Sequence, residues 1–239
     1  MSLKKSVDPL VLINFKTYLE ATGKRAVDLS KRISVACRES GVSVALAPQF
    51  CDIAQVAAEV DVPVFAQHID AIVPGASTGH ILADSVKAAG ADGAILNHSE
   101  RTIRISEIEA AVLRARELGL TTVVCAGSAD SAAALSMIQP DMVAIEPPEL
   151  IGTGRAVSKE KPEVVTDSVK KIRAVNRSVK ILCGAGISTG DDLYAALNLG
   201  AEGVILASGV VKSPRPETVI LGFCEAVRRF NESSVGRHP

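Results

Sequence analysis

Short runs of apolar residues alternate along this chain with longer stretches in which apolar positions recur every three or four residues. Several runs are apolar at consecutive positions, which is typical of strands buried on both faces of a parallel sheet. We therefore expect eight strands, at residues 10–14, 43–47, 63–67, 93–97, 121–125, 141–146, 179–184 and 203–207.

The stretches between these runs carry the signatures of helices. Two of them have an apolar stripe at helical spacing, formed by Ile105, Ile108, Val112, Ala115 and Leu118 and by Ile220, Phe223, Val227 and Phe230. Ser106 and Glu109 have the spacing of a capping box at the start of the first stripe. Glycines follow several helical stretches, where a left-handed residue commonly ends a helix; these are Gly41, Gly90, Gly119 and Gly200.

Two similar seven-residue segments support a repeated βα unit. Residues 90–96 read Gly-Ala-Asp-Gly-Ala-Ile-Leu, and residues 200–206 read Gly-Ala-Glu-Gly-Val-Ile-Leu, although shared turn chemistry alone could produce this likeness. Eight βα units without a flexible linker predict an α/β protein, a single-domain (β/α)₈ TIM barrel over residues 1–239. We expect the polar tail, residues 231–239, to be loose.

The competing architecture is an open, doubly wound sheet, which usually carries a glycine-rich dinucleotide fingerprint. The segment 184–190 reads Gly-Ala-Gly-Ile-Ser-Thr-Gly, one residue too long for that fingerprint. We therefore favour the barrel and expect no dinucleotide cofactor.

Composition narrows the class of partner. The net charge of -1, the 3% of aromatic residues and the absence of tryptophan argue against nucleic-acid binding. No apolar run reaches the length of a membrane span, and the first residues lack a signal-peptide core. The 5 cysteines, an odd number without a CxxC motif, fit a reducing cytoplasm.

Candidate chemistry gathers after the predicted strands. In a barrel, side chains at the carboxyl ends of the strands converge on one mouth. Asn14 and Lys16 follow the first strand, His98 and Glu100 the fourth, and Glu146 the sixth. Each has an ordinary structural explanation when taken alone. Their shared position at strand ends favours a common site.

Glu146 is the most informative of these residues. Two prolines follow it directly, and two glycines, Gly152 and Gly154, end the same loop. An acid at the tip of a buried strand under such a loop predicts a catalytic base beneath a mobile lid. Small-residue turns after the seventh and eighth strands, at 184–186 and 207–209, offer backbone N–H groups to an anion.

Histidines elsewhere give weaker signals. His68 and Asp70 follow the third strand and offer two metal ligands without an obvious third. We therefore expect no metal. His80 and His238 are expected at the surface.

At these strand ends the chain resembles the triosephosphate isomerase family. The segment 14–16, Asn-Phe-Lys, is similar to the family's Asn-x-Lys, and 98–101 reads His-Ser-Glu-Arg as in the family. Glu146-Pro147 and the Ile-Gly-Thr-Gly of 151–154 resemble its catalytic glutamate and phosphate-gripping lid. Residues 75–79, Gly-Ala-Ser-Thr-Gly, resemble a third loop that projects into a neighbouring subunit.

The chain departs from the usual family pattern in three turns. It has Pro-Glu-Leu at 148–150 in the lid, Gly-Ala-Gly at 184–186 and Ala-Ser at 207–208. These variants and the compact length are similar to the archaeal branch of the family. They affect the phosphate contacts and the lid, and they leave Lys16, His98 and Glu146 untouched.

The resemblance implies interconversion of dihydroxyacetone phosphate and D-glyceraldehyde 3-phosphate in glycolysis and gluconeogenesis, without a cofactor. It implies that Glu146 transfers the proton and that neutral His98, heading a short helix from Ser99, donates a hydrogen bond. Lys16 and Asn14 would offset developing charge, and Glu100 would orient Lys16. The implied phosphate contacts are backbone N–H groups at Ile151, Gly152, Gly186, Ala207 and Ser208.

The resemblance also implies a homodimer or homotetramer with the Thr78 loop at the interface. Two alternatives stay open at this point. A metal-using sugar-phosphate epimerase on the same fold would employ His68 and Asp70, and a non-catalytic barrel would only bind a phosphate ligand. Lys16, His98 and Glu146 together argue against the second alternative.

Overall fold

The computed structural model describes residues 8–40 and 42–235. All eight predicted runs contain a parallel strand: β1 Leu10–Asn14, β2 Ser43–Ala47, β3 Phe65–Ala66, β4 Gly93–Leu96, β5 Thr121–Ala126, β6 Met142–Ile145, β7 Lys180–Cys183 and β8 Gly203–Leu206. Only β3 is markedly shorter than predicted. Val64 pairs with Leu46 as an isolated bridge there, and Pro63 has no N–H to donate to a ladder.

The strands form one sheet that curls into a barrel. Their order is β2-β1-β8-β7-β6-β5-β4-β3, and the bridge between Leu46 and Val64 brings the two ends together. The Leu46 amide also donates to the Pro63 carbonyl at 2.9 Å. The predicted single-domain (β/α)₈ barrel is therefore confirmed, in place of an open sheet.

Helices connect the strands in the described part of the chain. Their bounds are α1 Lys24–Ser40, α2 Ile53–Ala57, α3 Ala83–Ala88, α4 Ile105–Glu117, α5 Ala129–Ser136, α6 Val157–Glu160, α7 Pro162–Val175, α8 Gly190–Asn198, α9 Ser208–Val211 and α10 Pro216–Val235. None of the described helices is both long and apolar enough to cross a membrane.

The strands separate two apolar cores because successive side chains point to opposite faces of a sheet. In β1, Leu12 belongs to a smaller cluster made largely of strand residues, which fills the barrel. Its neighbours Val11 and Ile13 belong to the larger cluster shared with the helices. Because the barrel is filled at its centre, a ligand site must lie at one of its rims.

Three local predictions need correction. The capping box at Ser106 and Glu109 is wrong, since α4 starts at Ile105 and the Glu107 carboxylate accepts from the Arg104 amide at 2.7 Å. Ile105 is 66% exposed, so the buried stripe of α4 begins at Ile108. Residues 99–101 form a turn rather than a helix after His98.

Other local predictions concern glycines and the termini. Gly90, Gly119 and Gly200 have positive φ values after helical stretches, as expected. Gly41 and His238 lie outside the described residues. Residues 231–235, expected as part of a loose tail, form the end of α10, while 236–239 lie outside the described residues.

The two similar segments, residues 90–96 and 200–206, make the same hydrogen bonds at opposite sides of the barrel. The Asp92 carboxylate accepts from the Val64 amide at 2.9 Å, and the Glu202 carboxylate accepts from the Ile181 amide at 3.1 Å. Each acid also donates its own backbone N–H to the same residue's carbonyl, at 2.7 Å in both cases. Both segments thus tie the start of one strand to the strand before it.

The glycine that follows each acid has no room for a side chain. A Cβ on Gly203 would lie 2.3 Å from the Leu10 carbonyl oxygen, and one on Gly93 would lie 2.4 Å from the Thr121 carbonyl oxygen. Both obstacles are backbone atoms of the neighbouring strand. A methyl group therefore cannot be accommodated without separating strands.

We expect Gly203→Ala to destabilise the protein by about 1–3 kcal/mol, the usual effect of forcing extra atoms into a filled site. The control is Gly222→Ala in α10, where the nearest atom to a new Cβ is 4.0 Å away. A helical Gly→Ala change with room is expected to be neutral or stabilising. Urea unfolding measures both, and equal midpoints for the two variants would contradict this account of the strand start.

Candidate active site

One cleft at the carboxyl ends of the strands holds most of the predicted site. It encloses about 180 Å³. Its walls include nine of the ten predicted residues, namely Asn14, Lys16, His98, Glu146, Ile151, Gly152, Gly186, Ala207 and Ser208. The tenth, Glu100, lines a neighbouring cavity that also includes Lys16 and His98.

Lys16 is held in an uncommon backbone conformation. Its φ is 48°, in the left-handed region that a residue with a side chain rarely adopts. The Asn14 side-chain oxygen accepts from the Lys16 amide at 2.9 Å, which fixes the turn after β1. The Lys16 ammonium donates to the Glu100 carboxylate at 2.8 Å, and the orienting role of Glu100 stays a prediction.

Glu146 is buried at the tip of β6, with 6% of its surface exposed. Its backbone amide donates to the Ala126 carbonyl at 2.9 Å and continues the ladder to β5. A Cβ on Gly184, after β7, would lie 2.4 Å from the Glu146 Cγ. The missing side chain of Gly184 therefore makes the space in which the carboxylate lies.

The Glu146 carboxylate presents an unused acceptor to the cleft. Its Oε2 is buried and has no hydrogen-bond partner. Beneath it, burial and then the negative charge of Glu146 raise the pKa of the Cys125 thiol well above its ordinary value. Cys125 is therefore a neutral part of the barrel core.

His98 faces the same oxygen with a defined tautomer. The Glu100 backbone N–H, which can only donate, lies 3.2 Å from the His98 Nδ1. Nδ1 therefore acts as an acceptor and the ring proton is on Nε2. The Glu100 carboxylate lies farther from Nδ1, at 3.5 Å. The His98 Nε2 is 3.6 Å from the Glu146 Oε2.

Residues in the loop after β6 and in the turns after β7 and β8 line the cleft and have backbone N–H groups without a partner among the described residues. The amides of Gly152, Gly186, Ala207 and Ser208 make no hydrogen bond to any described residue. The Ile151 amide is different, because it donates to the Pro148 carbonyl at 3.2 Å within the lid. Four of the five predicted phosphate donors are thus available.

Two polar residues that line the cleft, Tyr18 and Ser188, were not among the predicted site residues. Tyr18 lines the cleft, and the Lys212 ammonium lies 4.2 Å from the centre of its ring, a cation–π contact at the rim. Ser188 lines it as well, but its amide is bound by the Asp192 carboxylate at 3.0 Å. Ser188 belongs to the glycine-containing segment 184–190, so its position near the site could be predicted. Nothing in the sequence connects Tyr18 with Lys212.

His68 and Asp70 are engaged with each other. The His68 Nε2 lies 3.0 Å from an Asp70 oxygen, and the second oxygen accepts from the Ile81 amide at 2.6 Å. Burial lowers the pKa of His68. No group of three or more potential metal-binding side chains occurs among the described residues. These two residues are accounted for by their contacts at the base of the loop that follows β3.

That loop extends into solvent beside a second cavity. Asp70 and Ile81 join its two ends through their backbones at 2.9 Å. Thr78 is exposed within it, and Val73 is 67% exposed. The second cavity, of about 410 Å³, lies next to Lys16 and is lined by Phe50 among others.

A carboxylate, an imidazole and an ammonium at the mouth of this barrel define an enzyme of the (β/α)₈ class. A sequence model of the family described as triosephosphate isomerase matches residues 9–227. The chain belongs to the triosephosphate isomerase family, and it is an isomerase.

The relatives agree with this assignment. A triosephosphate isomerase of Methanobacterium bryantii is 51% identical over 219 residues, covering 92% of this chain and 97% of the relative. One from Methanosarcina mazei is 50% identical, with coverages of 89% and 96%. The resemblance to an archaeal branch is confirmed, since the similar proteins come mostly from methanogens.

The fold agrees with a solved structure. The crystal structure of triosephosphate isomerase from Bartonella henselae superposes with a TM-score of 0.74. It covers 93% of this chain and 100% of its own, at 18% sequence identity. At that identity the superposition supports the fold alone.

Proposed function

We propose that this chain interconverts dihydroxyacetone phosphate and D-glyceraldehyde 3-phosphate by proton transfer through Glu146 and an enediolate. One observation carries the mechanism: the buried Glu146 Oε2 has no hydrogen-bond partner and lies 3.6 Å from the His98 Nε2. A substrate carbon and its adjacent oxygen bound in the same cleft would meet a base and a donor together. This is the arrangement that abstraction of a weakly acidic proton requires.

Each polar group has a distinct part in the proposed reaction. Glu146 removes a proton from one carbon of the substrate and returns it to the adjacent carbon. The hydroxyl proton of the substrate passes to the former carbonyl oxygen, so that the carbonyl moves to the neighbouring carbon and no atom is gained or lost. The His98 Nε2–H donates to the oxygen on which negative charge develops. The Lys16 ammonium offsets the charge of the phosphate and the enediolate, and Asn14 contributes a polar side chain beside it. Groups already oriented toward developing charge need no reorganisation during the reaction.

Backbone amides are the proposed phosphate ligands. The free N–H groups of Gly152, Gly186, Ala207 and Ser208 border one end of the cleft. Loops after the last two strands form the phosphate site in many barrels of this class. Because the donors belong to the backbone, the site keeps its character when the side chains of these turns change.

We propose that residues 147–154 act as a lid. Pro147 has φ −55° and ψ 118°, which leads the chain away from β6 in a fixed direction. Gly152 and Gly154 both have φ 73° at the other end of the loop. Closure would exclude water and hold the enediolate until the proton returns, which prevents loss of phosphate.

We also propose a cytoplasmic homo-oligomer, a dimer or a tetramer. No disulfide joins any of the five cysteines, all of which lie among the described residues. This suits a reducing compartment, and cell fractionation would test the location. The loop that contains Thr78 is exposed, so it can insert into a partner subunit. The cavity beside Lys16 can receive the same loop from a partner. A partner's loop in that cavity would contact the residues that place the ammonium.

Replacing Glu146 tests the proposed base. We expect Glu146→Ala to lower kcat by at least about 10²–10⁴-fold, because a general base typically contributes that much. Glu59→Ala is the matched control, since Glu59 is half-exposed and paired with Lys31. Turnover is measured in a coupled isomerase assay, with circular dichroism to check the fold.

The same assay separates the alternatives. A metal-using epimerase would lose its activity with EDTA and would not convert triose phosphates. A simple phosphate-binding barrel would show no turnover at all. Near-normal turnover of Glu146→Ala would refute the assignment of the base.

The lid is tested by its hinge glycines. Proline fixes φ near −65°, so Gly152→Pro with Gly154→Pro should lower kcat and raise the fraction of methylglyoxal by-product. Gly23→Pro is the control, because Gly23 has a similar φ of 60° outside the lid. It should affect stability without changing the by-product fraction. Unchanged kcat and by-product in the double lid variant would count against gating.

The oligomer proposal is tested by mixing two impaired variants. Glu146→Ala keeps an intact loop, and a variant with Thr78 replaced by Arg keeps an intact base. If one subunit's loop completes its partner's site, subunit exchange should restore turnover above that of either variant. Sedimentation gives the size of the wild-type assembly. A wild-type monomer, or no restoration in demonstrated hybrids, would overturn the shared-site arrangement.

A further inference from the structure

Gln67 makes contacts at the site that neither the strand pattern nor the proposed mechanism accounts for. Its side-chain nitrogen donates to the Lys16 carbonyl at 2.9 Å and to the Ala47 carbonyl at 3.0 Å. Both partners are carbonyl oxygens, which can only accept. The amide must therefore present its NH₂ group to them, and each of its two hydrogens has one partner.

These two bonds link the ends of three neighbouring strands. Gln67 follows β3, Ala47 ends β2, and Lys16 follows β1. The Ala47 carbonyl also accepts from the Phe15 amide at 3.0 Å. The Gln67 amide is thus anchored to a fixed point of the sheet while it holds the Lys16 peptide.

The Lys16 backbone needs such support because its φ of 48° is unfavourable for a residue with a side chain. The Asn14 oxygen holds the amide side of Lys16 at 2.9 Å, and Gln67 holds the carbonyl side. The far end of the side chain is less constrained, since its partner Glu100 is 56% exposed. The position of the ammonium therefore depends mainly on the backbone conformation.

We propose that Gln67 is a positioning residue for the isomerase reaction. It keeps Lys16 in the left-handed conformation and thereby aims the ammonium into the cleft. This inference rests on the proposed function of Lys16. Gln67 itself does not contact the cleft that contains Glu146, although it lines the neighbouring cavity.

The primary test is Gln67→Met, which has similar length and no hydrogen-bond donor. We expect kcat/KM to fall by about 10- to 100-fold, since small displacements of a catalytic group have effects of that size. Gln49→Met is the matched control, because the Gln49 amide donates to the Thr22 hydroxyl, away from Lys16. Its kcat/KM should equal that of the wild type.

A double-mutant cycle separates positioning from general stabilisation. If Gln67 acts through Lys16, adding Gln67→Met to Lys16→Ala should change the residual kcat/KM by no more than about twofold. High enzyme concentration makes that residual turnover measurable. An equal loss in both backgrounds would show a purely structural role and overturn the proposal.

Failure of the Gln67→Met variant to fold would leave Gln67→Asn as the test, since it keeps the amide donors on a shorter arm. The proposal predicts reduced kcat/KM with a native-like unfolding midpoint for that variant, and unchanged kcat/KM would overturn it. Wild-type turnover is measured in the same series. If the wild type isomerises triose phosphates and the Gln67 variants have the same kcat/KM, this inference is wrong and the proposed function still holds.

Discussion

A buried carboxylate with one unsatisfied oxygen is the constraint around which this barrel's mouth is organised. A buried polar atom without a hydrogen-bond partner costs free energy of folding. It is tolerated where neighbouring groups offset that cost or where the atom serves to bind a substrate. Gly184 provides space for the Glu146 side chain, and His98 presents a nitrogen donor at 3.6 Å. The Lys16 ammonium lines the same cleft with opposite charge.

Backbone strain is concentrated at the same rim. Of the four described residues other than glycine with positive φ, three follow barrel strands at the mouth: Lys16, Asn97 and Ala185. Such conformations cost on the order of 1–3 kcal/mol each and persist only where the surroundings enforce them. The Asn97 side chain, for example, donates to the Cys125 carbonyl at 3.0 Å and accepts from the Ile103 amide at 3.1 Å. Stability supplied by the filled barrel thus supports the placement of the reactive groups.

The sequence was sufficient to predict the barrel and the common location of Lys16, His98 and Glu146 because one geometric rule connects them. Consecutive apolar residues marked the strands, and parallel strands in a barrel bring their carboxyl ends to one rim. Lys16, His98 and Glu146 could therefore be assigned to one place although they are far apart in the chain. The left-handed glycines were equally readable, since few other residues adopt that conformation easily.

What the sequence could not supply depends on contacts between distant side chains. The start of α4 is not determined by the sequence alone, because Glu107 and Glu109 both offer capping carboxylates; in the structure it is Glu107 that accepts from the Arg104 amide. The role of Gln67 was hidden for a related reason. An amide between a strand and a loop has many ordinary uses, and its two acceptors belong to other strands.

The variant turns after β7 and β8 illustrate which positions geometry restricts. A Cβ on Gly186 would lie 2.0 Å from the Arg155 carbonyl oxygen, so this glycine is required where the lid's end meets the β7 turn. Ala185, in contrast, carries its side chain at a φ of 71°. Backbone amides of residues that line the cleft are present whichever small side chains these turns carry. The proposed phosphate site, made of backbone donors, can therefore differ in sequence from other members of the family without losing its chemistry. The proposed roles of Glu146, His98 and Lys16 depend on side-chain atoms and have no such freedom.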